Sequence, residues 1–83
     1  MSGESHEKTR FTESELRAEV GRHGSLVAAI AYGVTAGQIA DPELAAAWTI
    51  AEGCYNWETD RLDSNGDFEI TRAIWRLEAR LGL

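Results

Sequence analysis

The chain has 83 residues, 43% of them hydrophobic, with fourteen Asp and Glu against eight Lys and Arg, for a formal charge of -6. That length supports one small core and excludes a core plus a separate catalytic lobe. The negative charge repels nucleic acid and anionic lipid and favours basic protein surfaces. Cys54 is the single cysteine, so no intrachain disulfide is expected. The N-terminus has neither a basic start nor an apolar run of signal-peptide length, and no stretch reaches the roughly 18 apolar residues a membrane span needs. A soluble, cytoplasmic protein is therefore expected.

Met1 to Arg10 offers no apolar residue after Met1. It is expected to be a flexible tail, followed by a single helical domain over residues 11–83. Thr12-Glu13-Ser14-Glu15 is a capping box with Phe11 and Leu16 at the staple positions, so a helix starts there, carries Leu16 and Val20 inward and stops at His23-Gly24. Ser25 caps a second helix, Leu26 to Tyr32, apolar on every side and expected to run through the middle of the fold. Gly33 to Ala40 permits a short additional turn.

Asp41-Pro42-Glu43 is a strong helix start, combining a side-chain cap, proline at the first helical position and a carboxylate at the positive dipole end. The pattern carries this helix to about Leu62, with Leu44, Trp48, Ala51, Tyr55 and Leu62 on one stripe and Ile50, Cys54 and Trp57 on its flank. The last helix begins near Asp67 or Glu69 and reaches Leu81, with Ile70, Ile74, Leu77 and Leu81 inward. At about 100° per residue, Phe68, Trp75 and Ala79 fall opposite that face, beside a ribbon of Arg72, Arg76 and Arg80. Arg72 is expected to pair with Glu69. No alternating run predicts a strand, and the fold class is all-α, a compact bundle of about four helices.

Charge is unevenly placed. Glu52, Glu58, Asp60, Asp63, Asp67 and Glu69 face only Arg61 between residues 52 and 71. Within this acidic elbow, Asp63-Ser64-Asn65-Gly66-Asp67-Phe68-Glu69-Ile70 places oxygen ligands at alternate positions and resembles an EF-hand or dockerin-type loop over eight to twelve residues. The resemblance implies calcium ligands at Asp63, Asn65, Asp67 and the Glu69 carbonyl, with Thr71 at the ninth position. Phe68 stands where the sharp turn wants glycine, and Ile74 where a bidentate Glu closes the shell, so any calcium affinity would be weak. The alternative reading of the same stretch is an interhelical loop in which Asp63 and Asn65 make side-chain turns and Asp67 caps the next helix.

No other constellation carries chemistry. His6 and His23 have no partner at catalytic or metal spacing, Cys54 reads as a small buried hydrophobe, and there is no nucleophile triad or phosphate-binding glycine loop. The chain is not expected to be an enzyme or to need a cofactor. Ala31 to Ala40 imitates the front of a helix-turn-helix, but the helix that follows opens Pro42-Glu43-Leu44-Ala45-Ala46-Ala47-Trp48, with no group able to read a base edge.

The expected function is protein binding. The acids Glu52, Glu58, Asp60, Asp63, Asp67 and Glu69 would steer the chain to a basic partner, and Trp57, Phe68 and Trp75 would anchor it; the alternative for these aromatic groups is that the second faces of their helices pack on the first two helices. In size, acidity and lack of chemistry the chain is similar to phage-encoded inhibitors of nucleic-acid-binding machines, including anti-CRISPR proteins and DNA mimics, a likeness of class with no shared motif. That class implies an inhibitor or adaptor docking on a nucleic-acid-binding protein, without direct nucleic-acid or membrane contact. A weak calcium-binding module, a helix-turn-helix regulator and a structural homodimer are the alternatives.

Overall fold

A computed structural model describes residues 10–83; most of the predicted tail, residues 1–9 with His6, lies outside the described residues. The described chain is mostly helical, with a small two-stranded sheet. Helix α1 spans Glu13–His23 and α2 spans Leu26–Ala31; a 3₁₀ turn covers Ala36–Gln38; α3 spans Pro42–Gly53. Strands β1 (Tyr55–Asn56) and β2 (Arg61–Leu62) follow, and α4 (Phe68–Leu81) closes the fold.

Side-chain caps set the helix starts. The Thr12 hydroxyl accepts from the Glu15 amide at 3.2 Å while the Glu15 carboxylate accepts from the Thr12 amide at 2.9 Å. Ser25 accepts from Ala28 at 3.0 Å, and Asp41 accepts from Glu43 at 2.9 Å and Leu44 at 3.1 Å. Helix α1 ends where Gly24 takes the left-handed conformation and its amide donates to Val20. Phe11 then does more than staple α1. Its amide donates to Gln38 and its carbonyl accepts from Ala40, forming a parallel bridge with Ile39 that ties the lead-in to α1 to the 3₁₀ turn.

The core gathers Leu16, Val20, Leu26, Ala29, Ile30, Val34, Ile39, Leu44, Trp48, Ala51, Leu77 and Leu81. Helix α2 buries only Leu26, Ala29 and Ile30, whereas Val27, Ala28 and Ala31 are half-buried and Tyr32 is exposed. It therefore flanks the core instead of crossing it, because six residues make less than two full turns and cannot be enclosed on all sides. The centre belongs to α3: Trp48 is fully buried and its indole N–H donates to the Val34 carbonyl at 3.0 Å. The indole thus satisfies a carbonyl just beyond α2 while filling the middle of the core.

The largest departure from the sequence pattern is the end of α3. The helix stops at Gly53, and Tyr55 and Leu62 reach the core as partners facing each other across a hairpin, in the register Tyr55↔Leu62 and Asn56↔Arg61. The seven-residue spacing that reads as two helical turns is the span of a four-residue loop closed by one cross-strand pair. Asn56, Thr59 and Asp60 favour a turn, and Tyr55 favours a strand, so local propensity and core burial agree on the hairpin.

Helix α4 keeps Leu77 and Leu81 buried, with Ile70 and Ile74 half-buried. Arg80 leaves the predicted exposed ribbon. Its guanidinium reaches Glu13 at 2.7 Å, Asp41 at 3.1 Å and Glu43 at 3.1 Å, and its carbonyl accepts from Arg17 at 2.8 Å. One residue thereby joins the starts of α1 and α3 to the end of α4. The Asp41 carboxyl is held below the ordinary aspartate value chiefly by the Leu44 amide it caps; burial opposes this, and Arg80 and the Glu43 amide add to the lowering.

Two outcomes follow from these contacts. Trp48→Phe leaves the Val34 carbonyl without its donor and a gap beside it, and should lower unfolding free energy by about 2–3 kcal/mol in urea titrations. Because folded Asp41 binds its proton less tightly than the unfolded chain does, the stability it contributes is complete above the ordinary aspartate value and drains as pH falls through the lower folded one. Asp41→Asn, which keeps a capping oxygen, should therefore show a shallower loss of urea midpoint than the parent as pH falls below the ordinary aspartate range.

Candidate functional site

The elbow predicted between α3 and α4 is the β-hairpin and the loop after it, built largely by its own polar side chains. The Asn56 side-chain oxygen accepts from the Glu58 and Thr59 amides at 2.8 and 3.2 Å, and the Asp60 amide donates to the Asn56 carbonyl. Asp60 closes the loop with φ 58°, a left-handed conformation that Asp tolerates better than most residues. The Tyr55 hydroxyl donates to the Asp60 carboxylate, which raises the phenol's pKa and keeps its proton in place.

Each predicted acid has a definite position. Glu52, half-buried, accepts from the Ala36 amide at 3.2 Å and so anchors the 3₁₀ turn to α3. Asp63 accepts from the Asn65 amide at 2.9 Å, and Asp67 caps α4 by accepting from Glu69 at 2.9 Å and Ile70 at 3.3 Å. Four of the six acids, Glu52, Asp60, Asp63 and Asp67, therefore give at least one oxygen to local structure. Glu58 and Glu69 are exposed, and their carboxylates accept no hydrogen bond among the described residues. The elbow is thus less a free acidic array than the sequence implies, because short Asp side chains next to turn and helix amides satisfy those amides first.

The same bonds bear on the calcium reading. Asp63 directs an oxygen at a loop amide and Asp67 at helix-start amides, while the Thr71 hydroxyl donates to the Asp67 carbonyl at 3.1 Å and lies 2.9 Å from the Ser64 hydroxyl. Glu69 sits in the first turn of α4. Among the described residues no group of His, Cys, Asp or Glu side chains is placed to hold a metal ion. Of the alternating oxygens, one of Asp63 serves a turn and one of Asp67 a helix cap.

The aromatic residues divide sharply. Trp48 is core, whereas Trp57 is 76% exposed, Phe68 62% and Trp75 60%. Trp57 stands in the hairpin loop with its ring perpendicular to that of Tyr55, 4.6 Å between centroids at 88°. Phe68 and Trp75 lie two turns apart on the outer side of α4. The Arg72 guanidinium lies 5.0 Å over the Phe68 ring and makes no ion pair with Glu69 among the described residues, a cation–π contact in place of the expected i, i+3 pair. Arg76 lines, with Ile50 and Ala73, a hollow of about 290 Å³ between α3 and α4.

The remaining candidates have structural roles. Cys54 caps the end of α3 half-buried, its thiol donating to the Ala51 carbonyl at 3.3 Å, and burial pushes its pKa up, away from a reactive thiolate. His23 stacks on Tyr32 with 5.3 Å between ring centroids and lies 3.2 Å from the Glu19 carboxylate. In the segment resembling a helix-turn-helix, Ile39 is buried and bridged to Phe11, and the exposed positions of α3 include Pro42, Glu43, Ala46, Thr49 and Ile50 with no basic residue. No helix among the described residues is long and apolar enough to cross a membrane.

Sequence reasoning missed Tyr55 and Asn56 as parts of this surface. The signal was present: Asn56 precedes two amides it can cap, and Tyr55 and Trp57 alternate as strand residues do. No family model matches the chain, and neither does a curated protein or a solved structure. Asn56→Ala should open the hairpin locally. Amide exchange at Glu58, Thr59 and Asp60 should accelerate, while global stability changes by about 1 kcal/mol or less.

Proposed function

We propose that this chain is a small acidic protein-binding module, a helical bundle working in the cytosol as an inhibitor or adaptor that docks on a basic surface of a nucleic-acid-binding protein. The observation that carries the reading is the exposure of Trp57, Phe68 and Trp75 within nineteen residues of sequence, in a chain that buries its third tryptophan completely. Large aromatic groups held outside a core are the usual anchors of protein interfaces, since each removes much apolar area from water at little entropic cost. Net charge of -6 and the exposed carboxylates of Glu58 and Glu69 favour approach to a cationic surface and oppose direct nucleic-acid binding. Asp60, Asp63 and Asp67 add to the same field, although each also holds a turn or a cap.

The outer side of α4 supports a second reading, self-association, because Phe68 and Trp75 are exposed there beside Arg72 and Arg76. Sedimentation that shifts with concentration, and no longer does so in Trp75→Ala, would favour it.

The docking reading is tested by capturing host proteins with the full chain, purifying the captured protein and reconstituting the pair. Trp57→Ala or Trp75→Ala should weaken the complex by about tenfold or more. Glu58→Lys with Glu69→Lys should slow association and flatten its salt dependence, and the captured protein should bind nucleic acid less well while occupied. A reconstituted partner that holds all variants with parental affinity, or that keeps its nucleic-acid affinity while occupied, would refute the proposal.

A further inference from the structure

We propose that the open cleft beside Trp57 receives an arginine side chain of the partner, with the guanidinium stacked on the indole and paired to the carboxylates of Glu58 and Asp63. The inference rests on the docking reading and assigns its point of recognition. The cleft encloses about 490 Å³ and is lined by Tyr55, Asn56, Trp57, Glu58, Asp63 and Asn65 together with the Gly53–Cys54 backbone turn.

Three observations converge on a cation. The first is the wall. Trp57 is exposed and rests against the perpendicular ring of Tyr55, which is itself tethered through its hydroxyl to Asp60, so this contact reduces the entropic cost of presenting an indole face. The second is the charge of the rim. Glu58 accepts no hydrogen bond through its carboxylate, and Asp63 uses one oxygen for the Asn65 amide and leaves the other unbonded among the described residues. The third is that no cation already occupies the place. Arg61, the only basic residue between 52 and 71, lines the adjoining hollow that shares Asp63 with this cleft, yet makes no ion pair with Asp63 or any other acid among the described residues.

Guanidinium fits this arrangement better than ammonium. The cleft is open, so it does not strip the tight hydration shell of a lysine head, whereas a weakly hydrated planar guanidinium stacks on a single exposed ring and still offers its edge donors to carboxylates. The chain uses the same chemistry internally, where Arg72 lies 5.0 Å over Phe68.

The test is titration of the full ¹⁵N-labelled chain with N-acetyl-arginine methylamide, read from the three Trp indole signals and the backbone amides. The expected result is saturable shifts of the Trp57 indole and of residues 55–65, with a dissociation constant in roughly the millimolar range and an unmoved Trp48 signal. The neutral isostere N-acetyl-citrulline methylamide should bind at least about tenfold more weakly, and the lysine analogue severalfold more weakly. Glu58→Gln and Asp63→Asn, both of which preserve the local geometry, should each reduce affinity severalfold. Trp57→Phe should fall between the parent and Trp57→Ala. Equal shifts from citrulline, equal binding of lysine, or unchanged shifts in Trp57→Ala would overturn the assignment. If the arginine probe fails while a reconstituted partner still depends on Trp57, the cleft assignment falls and the docking function stands; if no partner complex depends on the aromatic groups, the docking function falls independently.

Discussion

The fold depends on one buried side chain, Trp48. Its rings fill the centre of a core drawn from all four helices, and its indole N–H must find an acceptor there or lose about 1–3 kcal/mol to desolvation. The Val34 carbonyl meets that requirement, and to do so it must sit just past the end of α2, after Gly33 has reversed the chain with φ 103°. The 3₁₀ turn, its bond from Ala36 to Glu52 and its bridge from Ile39 to Phe11 then complete the path across the core. A single volume and a single donor thus fix how α1, α2 and α3 are arranged.

Arg80 complements this from outside the core. By reaching Glu13, Asp41 and Glu43 it gathers three carboxylates that stand at the starts of α1 and α3 and would otherwise repel one another. Partial exposure keeps each pair individually weak, but one planar guanidinium serving three carboxylates loses its side-chain entropy only once. Arg72 and Arg76 have no such partners among the described residues, so the helix that looks uniformly basic on one side divides into a structural end and an exposed start.

The hairpin between α3 and α4 combines two jobs in the same residues. Its acids and those of the following loop close turns and cap a helix, and Trp57 stands out on the hairpin loop with Tyr55 against it. Asp63 and Asp67 each give one oxygen to a neighbouring amide, because short carboxylates beside turn and helix-start amides are satisfied locally. The proposed arginine cleft uses what remains, one free carboxylate, one half-used carboxylate and an indole face.

Much of this was legible without coordinates. The Thr12 capping box, the Ser25 cap, the Asp41-Pro42 start, the Gly24 stop and the Trp48 and Leu77–Leu81 stripes are local signals, written in side chains that act within four residues of themselves, and the helices begin where those signals fall. Periodicity set Phe68 and Trp75 opposite the buried face of α4, but an apolar second side fits packing on the first two helices as well as exposure, and only the tertiary structure leaves it open to solvent. What sequence could not decide was the identity of contacts between distant residues. Tyr55 and Leu62 satisfy a helical period and a hairpin register equally well, and only the space available beside the core selects the hairpin, which in turn moves Trp57 from a helix flank to an exposed loop. Arg80 likewise looks like its neighbours Arg72 and Arg76 until the starts of α1 and α3 are brought within 3.1 Å of it, because long-range ion pairs depend on where helices cross and not on the spacing along any one of them.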